Sequence, residues 1–378
     1  MTVLADFVLP PALEAAEPPE ARGVPRDGVR MLVSRRRTGE ITHHAFTDLP
    51  GLLLPGDLLV VNTSGTLPAA VRVRHSDAAE SGGQLGQGHV MESGGFRAVG
   101  SGGLPPGKQS APPGQLRVHF STPLPDGSWL AELREVSGHA TRPSAGGSPG
   151  QQFRLPAGAW LSLKERVTGR LWRVRLSTAV VPYLLRHGRY IHYSYVERDW
   201  PAQAYQTVFA ATPGSAEMPS ASRPFTPEMV TRLVVRGVTI APVTLHTGVS
   251  SLEGDEEPYP EPYDVPPATA RLVNATRQAG GRVIALGTTV VRALESAALN
   301  GPGAELAAAS GWTHHVVTPD TGVRVVNGLF TGLHEPRSSH LHMLNAFAGE
   351  PLLRRCYAAA LDHSYLWHEF GDVHLLLP

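Results

Sequence analysis

The stretch GRVIALGTTVVRALES, residues 281–296, carries the strongest structural signal in the chain. Residues 282–286 form a short, β-branched apolar run with the composition of a buried strand. Gly287, Thr288 and Thr289 interrupt this run, and apolar residues then recur at helical spacing. A strand, a turn and a helix in this order point backbone N–H groups and two hydroxyls into a crevice that suits an anionic or polar ligand. The same pattern is equally typical of a turn in which threonine caps a helix.

The composition restricts the class of protein. At 378 residues the chain is long enough for two domains. Lysine plus arginine and aspartate plus glutamate each number 33, so the formal net charge is zero and nucleic acid would have to bind at local patches. The single cysteine, Cys356, excludes an internal disulfide and a metal site with several cysteine ligands. We expect no metal cofactor.

The location and the partners follow from the same features. Residues 1–20 lack the basic and apolar regions of a secretory signal, and no uncharged run reaches membrane-spanning length. We therefore expect a cytoplasmic protein without a membrane segment, as a monomer or a weak homo-oligomer. Phosphates could be contacted by two basic clusters, residues 35–37 and the set Arg166, Arg170, Arg173 and Arg175.

The order of predicted elements indicates an α/β fold with an insertion. Residues 1–67 and 178–378 are expected to form one discontinuous α/β domain, because helices and strands alternate in them. In these parts strands are predicted at 29–34, 41–46, 58–61, 238–245, 282–286, 323–326 and 373–377. Helices are predicted at 49–54, 179–186, 227–235, 267–279, 290–297, 341–347 and 351–363.

Residues 68–177 are expected to form a small inserted antiparallel β-barrel domain. Short alternating strands are predicted at 116–120, 129–136, 152–155 and 171–176, and glycine- and proline-containing turns separate them. Within this part, residues 75–115 are rich in glycine, serine and proline, which is typical of a mobile linker. We expect this segment to be dispensable for folding, since it has few large apolar residues to offset the entropy lost on ordering.

Five blocks of sequence identify a resemblance to a known family. They are PGDLLVVNTSGTLPA (55–69), YQTVFAATPGS (205–215), VTLHTG (243–248), GGRVIALGTTVVRALES (280–296) and a tail that runs from Asn327 through AFAG (346–349) to FGD (370–372). In this order and spacing they resemble the S-adenosylmethionine:tRNA ribosyltransferase-isomerase family of queuosine synthesis. The resemblance covers both ends of the chain and implies a discontinuous α/β domain that carries an inserted β-barrel.

The resemblance also implies a reaction and its substrates. Members of the family transfer the ribosyl group of S-adenosylmethionine to 7-aminomethyl-7-deazaguanine in tRNA and isomerise it to an epoxycyclopentanediol. A base removes a proton next to the sulfonium, adenine and methionine leave, and the amine attacks the sugar. S-adenosylmethionine is therefore expected as a substrate, with tRNA as a possible partner.

The chain departs from the family pattern within the recognisable blocks. Family members read close to PTAGLHF where this chain has PSASRPF (219–225), so Arg223 and Pro224 replace leucine and histidine. Proline has no titratable group, and losing a proton-transfer group slows a reaction by about 10²–10⁴-fold. We therefore expect slow production of the epoxide in tRNA. Two alternatives stay open, namely an enzyme that uses a different, possibly small-molecule acceptor, and a non-catalytic nucleoside-binding protein.

Candidate site residues come from strand ends and from the matched blocks. His246 and His334 could abstract a proton, and the match of Glu-Pro-Tyr to a family stretch adds Glu261. Arg292 lies on the first turn of the helix, where a cation needs a partner, either Glu295 or an anionic substrate group. The predicted catalytic residues are His246, His334 and Glu261, and the predicted substrate-binding residues are Asn62, Thr63, Arg223, Tyr263, Gly287, Thr288, Thr289 and Arg292. Each histidine is also compatible with a structural role at a strand end.

Overall fold

The computed structural model describes residues 7–75, 115–138, 140–249, 259–300, 305–336 and 338–378. The strands in these ranges are β1 (Arg30–Arg35), β2 (Ile41–Ala45), β3 (Leu58–Asn62), β4 (Ser64–Thr66), β5 (Ala70–His75), β6 (Leu116–Pro123), β7 (Trp129–Ser137), β8 (Ala140–Pro143), β9 (Gln152–Arg154), β10 (Trp160–Arg166), β11 (Leu171–Leu176), β12 (Thr212–Ser215), β13 (Thr239–Leu245), β14 (Glu261–Val265), β15 (Val283–Leu286), β16 (Ala309–Thr313), β17 (Gly328–Gly332) and β18 (Val373–Leu377). The α-helices are α1 (Leu49–Leu52), α2 (Val180–His187), α3 (Pro227–Val235), α4 (Pro267–Gln278), α5 (Thr288–Asn300), α6 (His340–Ala348) and α7 (Glu350–Asp362).

A nine-stranded mixed sheet organises the larger part of the molecule. Its strand order is β16-β14-β13-β3-β15-β17-β18-β1-β2, and β13, β3, β15 and β17 run parallel to one another. Strand β18 is antiparallel to β17 and parallel to β1, so β1 runs opposite to the central strands. The carboxyl ends of the four parallel strands therefore lie together at one edge of the sheet.

Helices cover both faces of this sheet. Alternate residues of one strand point to opposite faces, and in β3 the side chains of Leu58 and Val60 pack in one core while those of Leu59 and Val61 pack in another. Helices α4, α5, α6 and α7 contribute to the first core, and α1 and α3 lie over the second. Burial on both faces explains why the central strands are almost uniformly apolar.

A second sheet closes into a small antiparallel barrel. Its order is β11-β10-β9-β5-β6-β7-β8, and β11 also pairs with β7, which closes the ring. The barrel has its own core, built around Phe120, Phe153 and Trp172. The predicted fold class is confirmed, because an antiparallel barrel is inserted into a discontinuous α/β sheet. The prediction missed β5, β8 and β10, although the first four residues of β10, Trp-Leu-Ser-Leu, alternate as a strand does.

The strand predicted at 323–326 is wrong. The buried carboxylate of Glu295 on α5 accepts hydrogen bonds from the backbone N–H groups of Arg324 (2.8 Å), Val325 (3.0 Å) and Val326 (3.2 Å). A carboxylate thus satisfies the donors that a neighbouring strand would otherwise pair with, and β17 begins later, at Gly328.

The segment 75–115 lies almost entirely outside the described residues, so its expected mobility remains a prediction. The ends that it joins are neighbours, because β5 pairs antiparallel with β6 and Val73 faces Leu116. Across the described ranges, no helix has both the length and the apolar character needed to cross a membrane.

We predict that residues 77–113 can be replaced by a Gly/Ser loop of about five residues, a length that commonly joins antiparallel neighbours. The melting temperature should change by less than about 2 °C, because the ends already lie side by side and the segment contributes few apolar groups. Differential scanning calorimetry of both proteins measures this. A loss of many degrees would show that the segment packs as part of the barrel.

Candidate functional site

A cleft lies where the carboxyl ends of the parallel strands face the barrel. It consists of three adjoining cavities of about 210, 130 and 80 Å³. Glu217 lines all three, and His368 lines the largest and the smallest. Open α/β sheets bind ligands at the carboxyl ends of their strands, which makes this cleft the candidate site.

The turn between β15 and α5 forms one wall of the cleft. Gly287 has φ of 99°, a left-handed conformation that favours glycine, and its N–H donates to the carbonyl of Phe330 on β17 (2.8 Å). Thr288 and Thr289 line both the 130 and the 80 Å³ cavities, and Gly287 lines the smaller one. The first turn of α5, where N–H groups lack intrahelical partners, therefore faces the cleft.

Asn62, at the end of β3, holds this turn in place through hydrogen bonds. Its side-chain N–H groups donate to the Leu245 carbonyl (2.9 Å) and to Thr289 Oγ1 (3.1 Å), and its oxygen accepts from the N–H groups of Ser64 and Leu245 (both 3.1 Å). Thr63 bonds the Val243 carbonyl and Thr244 on β13. Neither Asn62 nor Thr63 lines the cleft, so both hold its edge in place.

An ion pair between Glu261 and Arg292 forms the far wall. One oxygen of Glu261 contacts Nη1 of Arg292, and the other accepts the N–H of Gly248 (2.8 Å). Both residues line the 130 Å³ cavity. The predicted partner Glu295 is wrong, since its carboxylate is used by the backbone at 324–326. Tyr263, two residues beyond Glu261, is buried in the main core and does not line the cleft.

Three histidines meet at the smallest cavity. The ring of His334 stacks on His340, with centroids 4.4 Å apart, and meets His368 edge-on at 5.8 Å. Nε2 of His334 bonds Thr331 Oγ1 (2.9 Å), and its Nδ1 is buried without a hydrogen-bond partner among the described residues. Burial lowers the pKa of His334 well below its usual value, that of His340 to about 4 and that of His368 to about 3. All three are therefore neutral at physiological pH.

His246 lies beneath the cleft and does not line it. Its Nδ1 bonds Ser64 Oγ (2.7 Å), which in turn bonds Ser215 Oγ (2.6 Å). Gly214 passes so close that a Cβ there would lie 2.3 Å from His246 Nδ1. Burial lowers the pKa of His246. The structure thus places this histidine in a hydrogen-bonded chain that joins β4 and β12.

Arg223 also lies away from the cleft. The residue is 2% exposed, and its guanidinium bonds Glu20 (2.8 Å) and the Ala204 carbonyl (2.9 Å) and lies over the ring of Phe370. Pro224 is buried and lines none of the three cavities. Neither of these two positions therefore contributes to the cleft wall in this chain.

Sequence reasoning missed most residues that line the cleft, among them Glu217, His340, His368 and Glu369. Each of these four lies beside a feature that was recognised. Glu217 follows the block 205–215, His340 opens α6, and His368 and Glu369 precede the FGD tail. Their position next to these recognised blocks and elements was the only feature of the sequence that could have indicated them. The part of the chain that the structure describes holds no group of three or more His, Cys, Asp or Glu residues arranged to bind a metal ion.

Comparisons with known proteins agree with this architecture. A family model described as queuosine biosynthesis protein matches residues 4–376. The chain belongs to the queuosine biosynthesis protein family. It is 36% identical over 389 residues to a Sorangium cellulosum protein named S-adenosylmethionine:tRNA ribosyltransferase-isomerase, with 99% of this chain and 97% of the relative covered. A Nostoc protein of the same name is 34% identical over 99% of this chain and 91% of its own length.

A solved structure extends the family likeness to three dimensions. The crystal structure of S-adenosylmethionine tRNA ribosyltransferase from Thermotoga maritima matches with a TM-score of 0.51 and 25% identity, covering 99% of this chain and 100% of that chain. The insertion of a barrel into an α/β sheet is thus shared with a family member of known structure.

We predict that Glu261 and Arg292 are strongly coupled in stability. Glu261→Gln or Arg292→Met should each cost about 3–5 kcal/mol, because each leaves a largely buried charge without its counter-charge. The double variant should cost less than the sum by about 1–3 kcal/mol. Denaturant unfolding of the four proteins gives this coupling energy. The exposed pair Glu350–Arg354 on α7 is the control, with a coupling below about 0.5 kcal/mol. Additive costs at Glu261 and Arg292 would contradict the ion pair.

Proposed function

We propose that this protein is an S-adenosylmethionine:tRNA ribosyltransferase-isomerase. It transfers the ribosyl group of S-adenosylmethionine to 7-aminomethyl-7-deazaguanine in tRNA and isomerises that group. The observation that carries the proposal is the cleft at the Gly287 turn, in a chain whose relatives bear this name. We propose a cytoplasmic location because the tRNA substrate is there.

The walls of the cleft suit the charged groups of S-adenosylmethionine. The amino-acid carboxylate of the substrate fits the first turn of α5, whose N–H groups face the 130 Å³ cavity beside the ion-paired Arg292. The sulfonium fits Glu217, which lies where the cavities meet. A cation that enters a partly buried cleft needs such a carboxylate, since desolvation otherwise opposes binding. Glu261 is engaged by Arg292 and Gly248, so its proposed role is to hold this wall rather than to move protons.

His334 is the proposed base for the first step. The positive sulfur acidifies the adjacent carbon, and a neutral imidazole accepts the proton from it. His334 lines the cavity at the Gly287 turn, and the bond to Thr331 fixes its ring. Its partnerless Nδ1 is the free proton acceptor of that ring when Nε2 carries the hydrogen towards Thr331.

The sequence led us to expect a slow reaction because of Arg223 and Pro224, but neither residue lines the cleft. Arg223 pairs with Glu20 outside the cleft, so its guanidinium does not act on a bound donor. Pro224 lines none of the cavities, and the cleft has three imidazoles of its own, so we propose that one of these and not residue 224 serves proton transfer.

The arginine cluster of the barrel is engaged within the chain, which weakens its case as the tRNA contact. Arg170 is buried against Glu132. Arg173 and Arg175 pair with Asp126, and Arg166 binds backbone carbonyls. Residues 35–37 follow β1 and therefore lie at the edge of the sheet opposite to the cleft.

We propose instead that phosphates contact a basic patch of Arg72, Arg117 and Arg189. Arg72 and Arg117 face each other across β5 and β6, and Arg117 lines the 210 Å³ cavity. Arg72 and Arg189 both lower the pKa of Arg117, in addition to the effect of burial, and Arg189 also pairs with Asp199. This patch would place a contact to the phosphate backbone of tRNA next to the cleft.

The test of the reaction uses S-adenosylmethionine and tRNA that carries 7-aminomethyl-7-deazaguanine. We expect release of adenine and methionine and formation of the epoxide nucleoside, detected by chromatography and mass spectrometry. His334→Phe keeps a ring against His340 and removes both nitrogens, so kcat should fall about 10²–10⁴-fold. The exposed His363→Asn is the control and should keep full activity.

Two results would contradict this proposal. Calorimetric binding of S-adenosylmethionine without adenine release would favour a nucleoside-binding protein, and adenine release without modified tRNA would favour another acceptor. Full turnover by His334→Phe would remove His334 as the base.

Binding to bulk unmodified tRNA is predicted to be weak and strongly dependent on salt, because the net charge is zero and few cations face the ligand. Arg72→Gln should lower the slope of log K against log salt by about 1. Arg37→Gln, at the opposite edge of the sheet, should leave the slope unchanged. Filter binding from 50 to 300 mM salt measures both. Tight binding that is insensitive to salt would contradict the patch.

A further inference from the structure

The 210 Å³ cavity of the cleft has a wall from each part of the molecule. The barrel contributes Arg117, His119, Glu132 and Arg134, and the α/β part contributes residues that include Tyr193, Glu217, His368 and Glu369. Its volume is about 210 Å³, and a cavity of about 150 Å³ suffices to bind benzene, so it has room for a larger planar ring system. It adjoins the cavity at the Gly287 turn, where the donor is proposed to bind.

Aromatic rings on one side suit a flat ligand. Tyr193 stacks on Tyr195, with centroids 5.5 Å apart and planes 12° apart, and lies 4.4 Å from the ring of His368. Proteins that bind unpaired bases stack them on such rings. The cavity is thus suited to a single base taken out of a nucleic-acid strand.

Glu369, whose carboxyl group is buried, lines the same cavity. Glu369 is 6% exposed, and the backbone N–H of Tyr193 donates to its carboxyl group. Its Oε2 is buried without a hydrogen-bond partner among the described residues. A buried polar atom without a partner is costly, and a donor group on a ligand would satisfy it.

Burial and the neighbouring Glu217 raise the pKa of Glu369 to about 8, so this carboxyl group is protonated at neutral pH. The charged and titratable groups near it are Glu217, Arg223, Tyr195, Tyr205 and His368. Arg223 acts in the opposite direction and is paired with Glu20. His368 is neutral, because burial lowers its pKa to about 3.

We propose that this cavity receives the acceptor base and that Glu369 binds the aminomethyl group of that base and removes a proton from it. This inference rests on the proposed function and adds to it the residue that prepares the nucleophile. An aliphatic ammonium has no lone pair and cannot attack the sugar until it loses a proton.

The proton count balances. Before binding, the carboxyl group of Glu369 is protonated and neutral, and the amine of the base is protonated and positively charged. On binding, one proton passes to solvent, and the other is shared between the amine nitrogen and Oε2. The ammonium and carboxylate then become a neutral amine and a carboxylic acid, which frees the lone pair of the nitrogen for attack and leaves no charge unaccounted for.

The test is calorimetry of the free base 7-aminomethyl-7-deazaguanine with the unmodified protein, in phosphate and in Tris at pH 7. We expect release of about one proton per base bound, since Glu369 is protonated below pH 8. At pH 9 the release should fall towards zero, because the carboxyl group is already ionised. No binding at millimolar concentration, or binding without proton release at pH 7, would overturn the proposal.

Variants provide a second measurement. Glu369→Gln keeps the shape of the neutral carboxyl group, so it should fold, abolish proton release and weaken binding of the amine-bearing base at least tenfold. It should leave binding of 7-methyl-7-deazaguanine, which lacks the amine, unchanged. Glu335→Gln is the control, a carboxyl group whose pKa is also raised by burial but which lines none of the cavities. Equal weakening of both ligands by Glu369→Gln would overturn the assignment.

The proposed reaction and the proposed pocket fail in different ways. If the base binds with release of a proton but no adenine forms from S-adenosylmethionine, the reaction is wrong and the pocket stands. If the epoxide forms at the same rate with Glu369→Gln as with the unmodified protein, the pocket assignment is wrong and the reaction stands.

Discussion

The side-chain amide of Asn62 joins the elements on which the cleft depends. It is fully buried at the end of β3, and its hydrogen bonds reach β13, the start of β4 and the first turn of α5. A buried amide offers two donor hydrogens and an acceptor oxygen, and here all are used. These bonds therefore hold Thr289 and the loop that enters β4 at the edge of the sheet. Because β4 pairs with β12, they also hold the segment that leads from β12 to Glu217.

Burial keeps several titratable groups of the cleft in their uncharged forms. Desolvation disfavours the charged form of any group, so it keeps the imidazoles of His334, His340 and His368 neutral and the carboxyl group of Glu369 protonated. Groups that would repel or attract a ligand strongly in water are thus uncharged until a substrate supplies the compensating charge. A cationic donor and a cationic amine, the substrates of the proposed reaction, are suited to such a cleft.

Much of the fold could be predicted because its signals are local. The run before Gly287, the helical spacing after it and the alternating strands of the barrel all depend on residues close in sequence. The sequence also predicted six residues that line the cleft, namely Glu261, Gly287, Thr288, Thr289, Arg292 and His334. It failed at 323–326, where a side-chain carboxylate took the place of a strand partner, and at Arg292, where a nearby acid was expected.

The sequence by itself determined the strand–turn–helix unit, the alternation that builds a parallel sheet and the insertion of a barrel. Periodicity and turn residues act over a few positions, so they can be read without knowing the fold. Only the tertiary structure decided the partners. Arg292 pairs with Glu261, 31 positions away, and Arg223 pairs with Glu20, 203 positions away. Such distant residues meet only because the packing of buried faces brings their segments together. Whether a histidine or a carboxyl group faces the cleft or the core is decided by that same packing.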